Sequence, residues 1–450
     1  MKETIAAIST PSGQGAVALL RMSGESSIDI AEKVFRSSSG QVGELQSRLQ
    51  VLGNVVDADG SCIDQVLLTV FRSPASYTGE DTVEISSHGG ILVAAAVLGA
   101  LVEAGARPAE PGEFTRRAFI NGKMDLTQAE AVMDLIGART SLALRAANRQ
   151  MEGKLGLRVN RMRVQLLEAL AHLEAYIDFP EEGIDPDSSE SICNRLIEVC
   201  GAARVLIDTA EEGRILRDGL TVVIAGLPNA GKSSLLNLLL GFERAIVSDT
   251  AGTTRDTIEE MINIRGIPVR LIDTAGLRKA QEQVEREGVH RARREVKAAD
   301  LVLHVQDSSL EQDESMAFAG EESAGVRRIM VLNKMDLGIH PSWQEADGVR
   351  VSCTQESGVE LLLDAIFKVA GLAGFEFGSE MIAVNARHRD CLERACNYSE
   401  KAAEVLRSGE SPEFVAIDLR EALDAVGSIV GKVDSEELLG EIFSSFCIGK

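Results

Sequence analysis

The 450-residue sequence predicts a multidomain protein, in which an α+β N-terminal domain precedes an all-α helical domain that carries an inserted α/β domain. Three patterns predict this fold class: short apolar strands with Gly-rich turns, amphipathic helical periodicity on both sides of the middle, and strand–helix alternation within the middle. The predicted bounds are 1–118 for the N-terminal domain, 119–215 and 377–450 for the two parts of the helical domain, and 216–376 for the inserted domain. Two independent helical domains around the α/β domain are the alternative.

The elements follow from these patterns in chain order. Short apolar segments predict N-terminal strands at 5–8, 17–20, 66–71 and 83–85, followed by a helix at 91–104. Apolar residues recur at steps of three or four from Leu155 to Ile177, which predicts an amphipathic helix. In the inserted domain, the strands of a parallel sheet are predicted at 221–225, 269–272, 301–305 and 329–332.

The composition excludes several classes of protein. Hydrophobic residues make up 45% of the chain and charged residues 26%, which excludes a disordered polypeptide. The net charge of −23 argues against a general nucleic-acid coat, although a local basic site or a partner could still bind RNA. We find no apolar run near the roughly 18 residues of a transmembrane helix and no signal-peptide pattern. We therefore expect no membrane contact and a cytoplasmic location, where the seven Cys residues stay free thiols.

A phosphate-binding loop is predicted at 226–233, where GLPNAGKS fits the pattern G-x-x-x-x-G-K-[ST] between an apolar strand and a helix. Gly226 and Gly231 would let the backbone wrap around phosphates, whose charge the helix N-terminus favours. Lys232 would contact the β- and γ-phosphates, and Ser233 would offer its hydroxyl to Mg2+. A Gly-rich turn without a ligand is the alternative.

Three later segments complete a GTPase set: DTAGTTRD at 249–256, DTAG at 273–276 and NKMD at 333–336. Asp273 would hold Mg2+ through water, Thr254 would complete the metal shell, and Gly276 would donate its N–H to the γ-phosphate. This set predicts a Ras-like P-loop GTPase fold for the inserted domain.

Guanine recognition is predicted at Asp336, whose carboxylate suits the two N–H donors of guanine and would stay unpaired against adenine. Asn333 and Lys334 would support the loop and the base. Ser352 and Cys353 occupy the positions whose backbone N–H reaches the guanine carbonyl in such domains.

Hydrolysis needs a group other than the usual Gln, because Leu277 follows DTAG and cannot orient water. Glu285 is the best carboxylate for that task, and the alternative is that Glu282, Glu285 and Glu287 are solvated helix charges. The amide oxygen of Asn229 could ligate a monovalent cation beside the phosphates, or Asn229 could be an ordinary loop residue.

The whole chain resembles the bacterial tRNA modification GTPases of the MnmE (TrmE) family. The matching segments are TIAAISTPSGQGAVALLRMSG (4–24), SYTGEDTVEISSHGG (76–90), PGEFTRRAFINGKMDLTQAEAV (111–132), GLPNAGKSSLLN (226–237), DTAGTTRD and the ending FCIGK (446–450). The N-terminal motifs and the ending are not features of GTPases in general. The chain departs from the family at Gln14, Ala16 and Leu227, and the first two put folate affinity in doubt.

The resemblance implies a homodimer whose N-terminal domain binds folate and dimerises. With the flavoprotein MnmG (GidA), which carries FAD, such proteins add an aminomethyl or carboxymethylaminomethyl group to carbon 5 of the wobble uridine of certain tRNAs. A tetrahydrofolate derivative, 5,10-methylene or 5-formyl, supplies the one-carbon unit. GTP hydrolysis is coupled to K+-dependent dimerisation of the G domains.

The resemblance also assigns residues. Asn229, Ser248, Thr250 and Thr253 would ligate K+, and Glu285 would orient the attacking water. Arg21, Glu84, Lys123 and Lys450 would contact folate, and Cys447 is either a reactive thiol or a structural Cys. The GTP-binding set is Asn229, Ala230, Gly231, Lys232, Ser233, Ser234, Ser248, Asp249, Thr250, Ala251, Gly252, Thr253, Thr254, Asp273, Thr274, Ala275, Gly276, Asn333, Lys334, Asp336, Ser352 and Cys353, with Ser233 and Thr254 on Mg2+.

Two other functions compete with this one. The first is a GTP switch for ribosome assembly that docks on rRNA, which would require a basic RNA-binding appendage. The second is a stand-alone folate enzyme with a regulatory G domain, which would make product without a flavoprotein. The acidic composition and the N-terminal motifs favour the tRNA-modifying GTPase.

Overall fold

A computed structural model describes residues 3–178, 188–242, 259–273, 296–312, 326–371, 382–432, 436–444 and 446–449. The chain divides into two compact units. The first comprises Met1–Met133, Gly156–Asn160 and Gly427–Lys450, and the second comprises Asp134–Leu155 and Arg161–Val426. Among the described helices, none combines the length and the apolarity that a membrane crossing requires.

The first unit contains a mixed sheet of seven described strands. These are β1 (Ile5–Ile8), β2 (Val17–Ser23), β3 (Phe35–Arg36), β4 (Gln50–Val56), β5 (Cys62–Phe71), β6 (Thr82–His88) and β7 (Arg107–Pro108). Their order is β3-β4-β5-β6-β2-β1-β7, and all neighbours are antiparallel except β1 and β7. Side chains alternate between the two faces of a strand, so the burial of Val83 and Ile85 puts Glu84 on the opposite face.

The second unit contains a sheet of six described strands, β8 (Leu220–Gly226), β9 (Glu259–Ile264), β10 (Ile267–Asp273), β11 (Leu301–Asp307), β12 (Arg327–Asn333) and β13 (Val349–Arg350). The order is β13-β12-β11-β8-β10-β9, and only β9 runs antiparallel to its neighbour. Strands β8 and β10 are buried along nearly their whole length, as expected for a parallel sheet covered on both faces. The carboxyl ends of β8, β10, β11 and β12 therefore share one edge.

The described helices are α1 (Ser27–Val34), α2 (Ile91–Glu103), α3 (Glu113–Ile120), α4 (Leu126–Gly137), α5 (Ser141–Met151), α6 (Lys154–Asp178), α7 (Ser188–Ile207), α8 (Ala210–Asp218), α9 (Lys232–Phe242), α10 (Val359–Val369), α11 (Ala386–Ser408), α12 (Pro412–Val430) and α13 (Glu436–Ser444). In the first unit, α1 and α2 cover one face of the sheet, where Ala31 and Val97 join the core of Leu20, Leu68 and Ile85.

The end of the chain packs within the first unit. Phe443 and Phe446 form one apolar cluster with Leu126 and Ala129 of α4. The Ser9 hydroxyl, just after β1, donates to the Gly449 carbonyl at 3.0 Å. The C-terminal segment therefore lies beside the loop that follows β1.

In the second unit, α7 packs against α11, although the whole α/β sheet separates them in sequence. The Cys193 thiol donates to the Ala403 carbonyl at 3.8 Å, and both ends of this contact are buried. A capping box at Asn385 and His388 starts α11. This packing supports the proposal that the α/β domain is inserted between two parts of one helical layer.

The predicted fold class is confirmed, and each predicted strand lies within an observed one. The sequence patterns missed β4 and β9. Strand β9 reads EEMINI and pairs on one side only, as the antiparallel edge strand of its sheet.

Candidate functional site

The turn between β8 and α9 brings the predicted phosphate loop to the carboxyl edge of the second sheet. Gly231 has φ +98°, and a Cβ at this position would lie 2.1 Å from Nδ2 of Asn333. No residue larger than glycine fits there, because the turn is in direct contact with the end of β12. Asn229 has φ +61°, a left-handed conformation that Asn tolerates better than most residues, and its side chain is exposed.

The phosphate side of the site joins Lys232, Ser233 and Asp273. The ammonium of Lys232 is buried and donates to the Leu227 carbonyl at 2.7 Å, within the loop itself. The Ser233 hydroxyl donates to Oδ2 of Asp273 at 3.2 Å, and Asp273 is buried at the end of β10. A hydroxyl and a carboxylate this close are hard oxygen ligands that fit Mg2+. Ser234, the next residue, is exposed at the start of α9.

The guanine side of the site is organised by Asn333. Its Nδ2 donates to the Ala230 carbonyl at 2.9 Å, which ties the end of β12 to the phosphate loop. Its Oδ1 accepts a hydrogen bond from the Cys353 backbone N–H at 3.3 Å. The Ser352 hydroxyl donates to Oδ1 of Asp336 at 2.5 Å, which orients the carboxylate predicted to bind guanine. The structure thus brings together Ala230, Asn333, Asp336, Ser352 and Cys353.

Cys353 stands where such domains commonly have Ala, and its thiol is not reactive. Burial, followed by the nearby charge of Asp336, raises the pKa of the Cys353 thiol to about 11. The thiol therefore stays protonated near neutral pH, and the residue presents its backbone N–H as an Ala would.

Asp307 is a site residue that the sequence analysis missed. It ends β11, and its Oδ2 lies 2.5 Å from Nζ of Lys334, which itself has φ +64°. The Ser309 hydroxyl and backbone N–H both donate to Oδ1 of Asp307, at 2.5 and 3.1 Å. Burial alone would raise the pKa of this carboxyl, but the hydrogen bonds from Lys334 and Ser309 hold it below its usual value. The signal was available, because an Asp directly after an apolar parallel strand lies at the functional edge of the sheet.

The loop after β11 is fastened to the guanine side by further hydrogen bonds. The Ser308 hydroxyl and N–H donate to the Asn333 carbonyl at 2.7 and 2.9 Å. Trp343 is buried, and its indole N–H donates to the Leu310 carbonyl at 2.8 Å. This loop is therefore a firm support for Asn333 and Lys334.

The first unit holds a second polar site on the open face of its sheet. Arg21 of β2 and Glu84 of β6 are directly opposite in register, and their side chains form an ion pair at 2.8–2.9 Å. The Arg21 guanidinium lies over the rings of Tyr77 and Phe114, at 5.2 and 5.8 Å from their centroids. Burial raises the pKa of Tyr77, whose hydroxyl shares a 2.8 Å hydrogen bond with Thr115.

The other predicted folate residues in the described part of the chain lie apart from this ion pair in their contacts. Lys123 donates to the Pro74 carbonyl at 2.9 Å. Cys447 is exposed, and its carbonyl accepts a hydrogen bond from the Gly112 N–H at 3.4 Å. Outside the described residues lie Lys450, Ser248, Asp249, Thr250, Ala251, Gly252, Thr253, Thr254, Thr274, Ala275, Gly276 and Glu285.

Because the phosphate loop and the NKMD segment meet at one edge of a parallel sheet, the second unit has the architecture of a P-loop GTPase. Family profiles narrow this class. A profile described as "GTP-binding protein TrmE N-terminus" matches residues 4–123, and one described as "MnmE helical domain" matches residues 126–447. The chain belongs to the MnmE family of tRNA modification GTPases, so the predicted resemblance is confirmed.

Individual relatives match over their full length. The tRNA modification GTPase MnmE of Akkermansia muciniphila is 49% identical over 451 residues, which cover 100% of this chain and 99% of that protein. The MnmE of Aquifex aeolicus is 44% identical over 454 residues, covering 100% of both chains. Among solved structures, the G domain of the T. maritima FeoB iron transporter is 24% identical, with a TM-score of 0.25, and covers 34% of this chain and 98% of its own.

Substitution of Asp307 tests whether the ion pair prepares Lys334 for the base. We expect Asp307→Asn to weaken GTP binding about tenfold, or about 1.4 kcal/mol, because Lys334 loses a charged partner and its fixed position. Titration with a fluorescent GTP analogue measures the change. Inosine triphosphate should lose affinity by the same factor, since Asp336 still reads the base edge.

Asp364→Asn is the matched control, because it removes an ion pair with Arg265 in the same unit and should leave affinity unchanged. Unchanged or tighter GTP binding by Asp307→Asn would show that the pair does not prepare the site.

Proposed function

We propose that this chain hydrolyses GTP in order to drive a folate-dependent modification of carbon 5 of the wobble uridine in certain tRNAs. It would act as a homodimer with an FAD-carrying flavoprotein of the MnmG (GidA) type, and add an aminomethyl or carboxymethylaminomethyl group. The observation that carries this proposal is the presence, in one chain of the MnmE family, of two separate sites. One has the elements of a GTP site, and the other is a charged and aromatic site within the TrmE N-terminal match.

In the GTP site, each described residue has a chemical role. Lys232 would exchange its bond to the Leu227 carbonyl for phosphate oxygens, and Ser233 with Asp273 would hold Mg2+. The bound Mg2+ would neutralise charge on the phosphates. Asp336, oriented by Ser352, would accept both guanine N–H donors, and adenine would leave this carboxylate unpaired.

Asn229 would supply an oxygen ligand to K+. The exposed, left-handed Asn229 lies in the phosphate loop, where a cation would compensate charge that an arginine finger often supplies. Ser248, Thr250 and Thr253 would complete this site when the G domains dimerise. Glu285 would orient the attacking water in place of the Gln that Leu277 replaces.

In the first unit, Glu84 would accept hydrogen bonds from a pteridine ring, and Tyr77 with Phe114 offers aromatic surface beside it. Arg21 holds Glu84 ionised and in place. Lys123 and Lys450 would bind the acidic glutamate tail of a tetrahydrofolate derivative. The exposed Cys447 is available as a thiol, in the C-terminal segment that packs beside the loop after β1.

The potassium role predicts a specific effect of Asn229→Gly. Glycine keeps the left-handed backbone and removes only the side-chain oxygen. We expect GTP turnover of the unmodified chain to be about tenfold or more faster in K+ than in Na+, and this advantage to vanish in the variant. Steady-state phosphate release in the two salts measures it. Arg48→Gly, at φ +67° in the other unit, is the backbone-matched control. Equal turnover of the unmodified chain in both salts would refute the role of K+.

Glu285→Ala tests the residue proposed to position water. We expect kcat to fall about 100-fold or more while GTP affinity stays within about twofold, because water is oriented mainly in the transition state. Single-turnover kinetics separate the two quantities. Glu282→Ala and Glu287→Ala lie in the same acidic segment and should keep their turnover. Similar rates for all three variants would mean that Glu285 is a solvated charge.

The complete function is tested by mass spectrometry of tRNA nucleosides from a host that lacks its own copy of the gene. We expect the chain to restore the modified wobble uridine and Glu84→Gln to fail, because the amide does not replace the charged acceptor. Purified Glu84→Gln should keep normal GTP turnover. Asp64→Asn, which alters a carboxylate paired with His88 on the same sheet, is the control.

The outcomes separate the parts of the proposal. Restoration by both the chain and Glu84→Gln would remove Glu84 from the folate site and leave the function intact. No restoration by a folded chain with GTP turnover, even when its own flavoprotein is supplied, would favour the RNA-docking switch instead.

A further inference from the structure

The helical layer of the second unit contains a cluster of potential metal ligands away from both sites described above. Cys200 lies on α7, and Cys396 and Glu400 lie one turn apart on α11. One ligand atom from each residue lies within 4.8 Å of the other two. Within the described ranges, this is the one group of three or more His, Cys, Asp and Glu side chains placed closely enough to hold a metal ion.

We propose that Cys200, Cys396 and Glu400 bind a thiophilic divalent cation, of which Zn2+ is the physiological example. Zinc binds thiolate at about 2.3 Å and carboxylate oxygen at about 2.1 Å, so tetrahedral ligands lie between three and four ångströms apart. Sγ of Cys396 and Oε1 of Glu400 are 3.7 Å apart, which fits this spacing without rearrangement. Water or a small anion would occupy the fourth position on the exposed side of Glu400.

The spacing on α11 explains how two ligands come from one helix. Cys396 and Glu400 are four residues apart, and side chains at i and i+4 lie on the same helix face. Cys200 comes from the facing helix, and its thiol donates to the Cys396 carbonyl at 3.5 Å. Both cysteines are buried, so the ligands are held by the packing of α7 against α11.

The charges around the cluster suit a bound dication. Two thiolates and one carboxylate carry three negative charges, and a divalent cation neutralises two of them. Arg204, four residues after Cys200, forms an ion pair with Glu400 and supplies the third positive charge. Binding would release the two thiol protons to solvent, so that the filled site is neutral. A neutral site avoids the cost of burying an unpaired charge.

Such an ion would link two helices that precede and follow the α/β domain in sequence. Cys200 and Cys396 are separated by 196 residues, which include all of β8–β13. Closing so long a loop stabilises the folded chain, because it restricts the unfolded one. The site would therefore be a structural pin of the helical layer.

Titration of the metal-free full chain with Co2+ tests the proposal. We expect binding of one Co2+ with thiolate-to-cobalt charge-transfer absorption and release of two protons per ion. An oxygen-only site such as the Mg2+ position cannot give the thiolate band. Cys200→Ser and Cys396→Ser should abolish the band and weaken binding by more than the roughly 10–100-fold that loss of an outer partner costs. Circular dichroism checks that these variants are folded.

The chain provides matched controls. Cys193→Ser and Cys391→Ser remove the other buried thiols of the same two helices and should keep the band. Glu400→Gln, at an exposed position that folding tolerates, should retain a weakened band. Absence of any thiolate band, or a band that disappears instead with Cys62→Ser or Cys447→Ser, would overturn the proposal. So would a Cys200–Cys396 disulfide in protein that binds no Co2+ after reduction.

Discussion

The close approach of the phosphate loop to the end of β12 is the constraint on which the nucleotide site depends. Asn333 reaches the Ala230 carbonyl across a gap that only glycine at position 231 leaves open. Phosphate and base recognition are therefore built on one contact rather than on two loops that move separately. Asn333 also receives the Cys353 N–H, so a single amide side chain joins three loops.

The motifs identified this site from sequence because their residues are close together along the chain or at fixed places after strands. Lys232 and Ser233 follow a strand directly, and Asp273 and Asn333 each end one. Asp307 was not found, because its role arises only from the parallel register that sets it opposite Asn333. A single chain of letters does not state which strands are neighbours, and β11 lies beside β12 only in the folded sheet.

The N-terminal site shows the same limit more strongly. Arg21 and Glu84 are 63 residues apart, and only the antiparallel pairing of β2 with β6 sets them face to face. Family resemblance pointed to both residues, whereas the aromatic surroundings of Arg21 emerged from the structure. Likewise, the contact of Cys200 with Cys396 depends on how α7 meets α11, which helical periodicity alone does not specify.

Trp343 gives the nucleotide site an optical property of its own. It is the single Trp of the chain, and its indole is buried and bonded to Leu310, three residues after Asp307. The His340 N–H, in the same short segment, donates to the Ser308 carbonyl. Any shift of the loop that supports Lys334 must therefore disturb the indole environment. The intrinsic fluorescence of the whole chain is thus a local signal, emitted beside the base-recognition loop and from nowhere else.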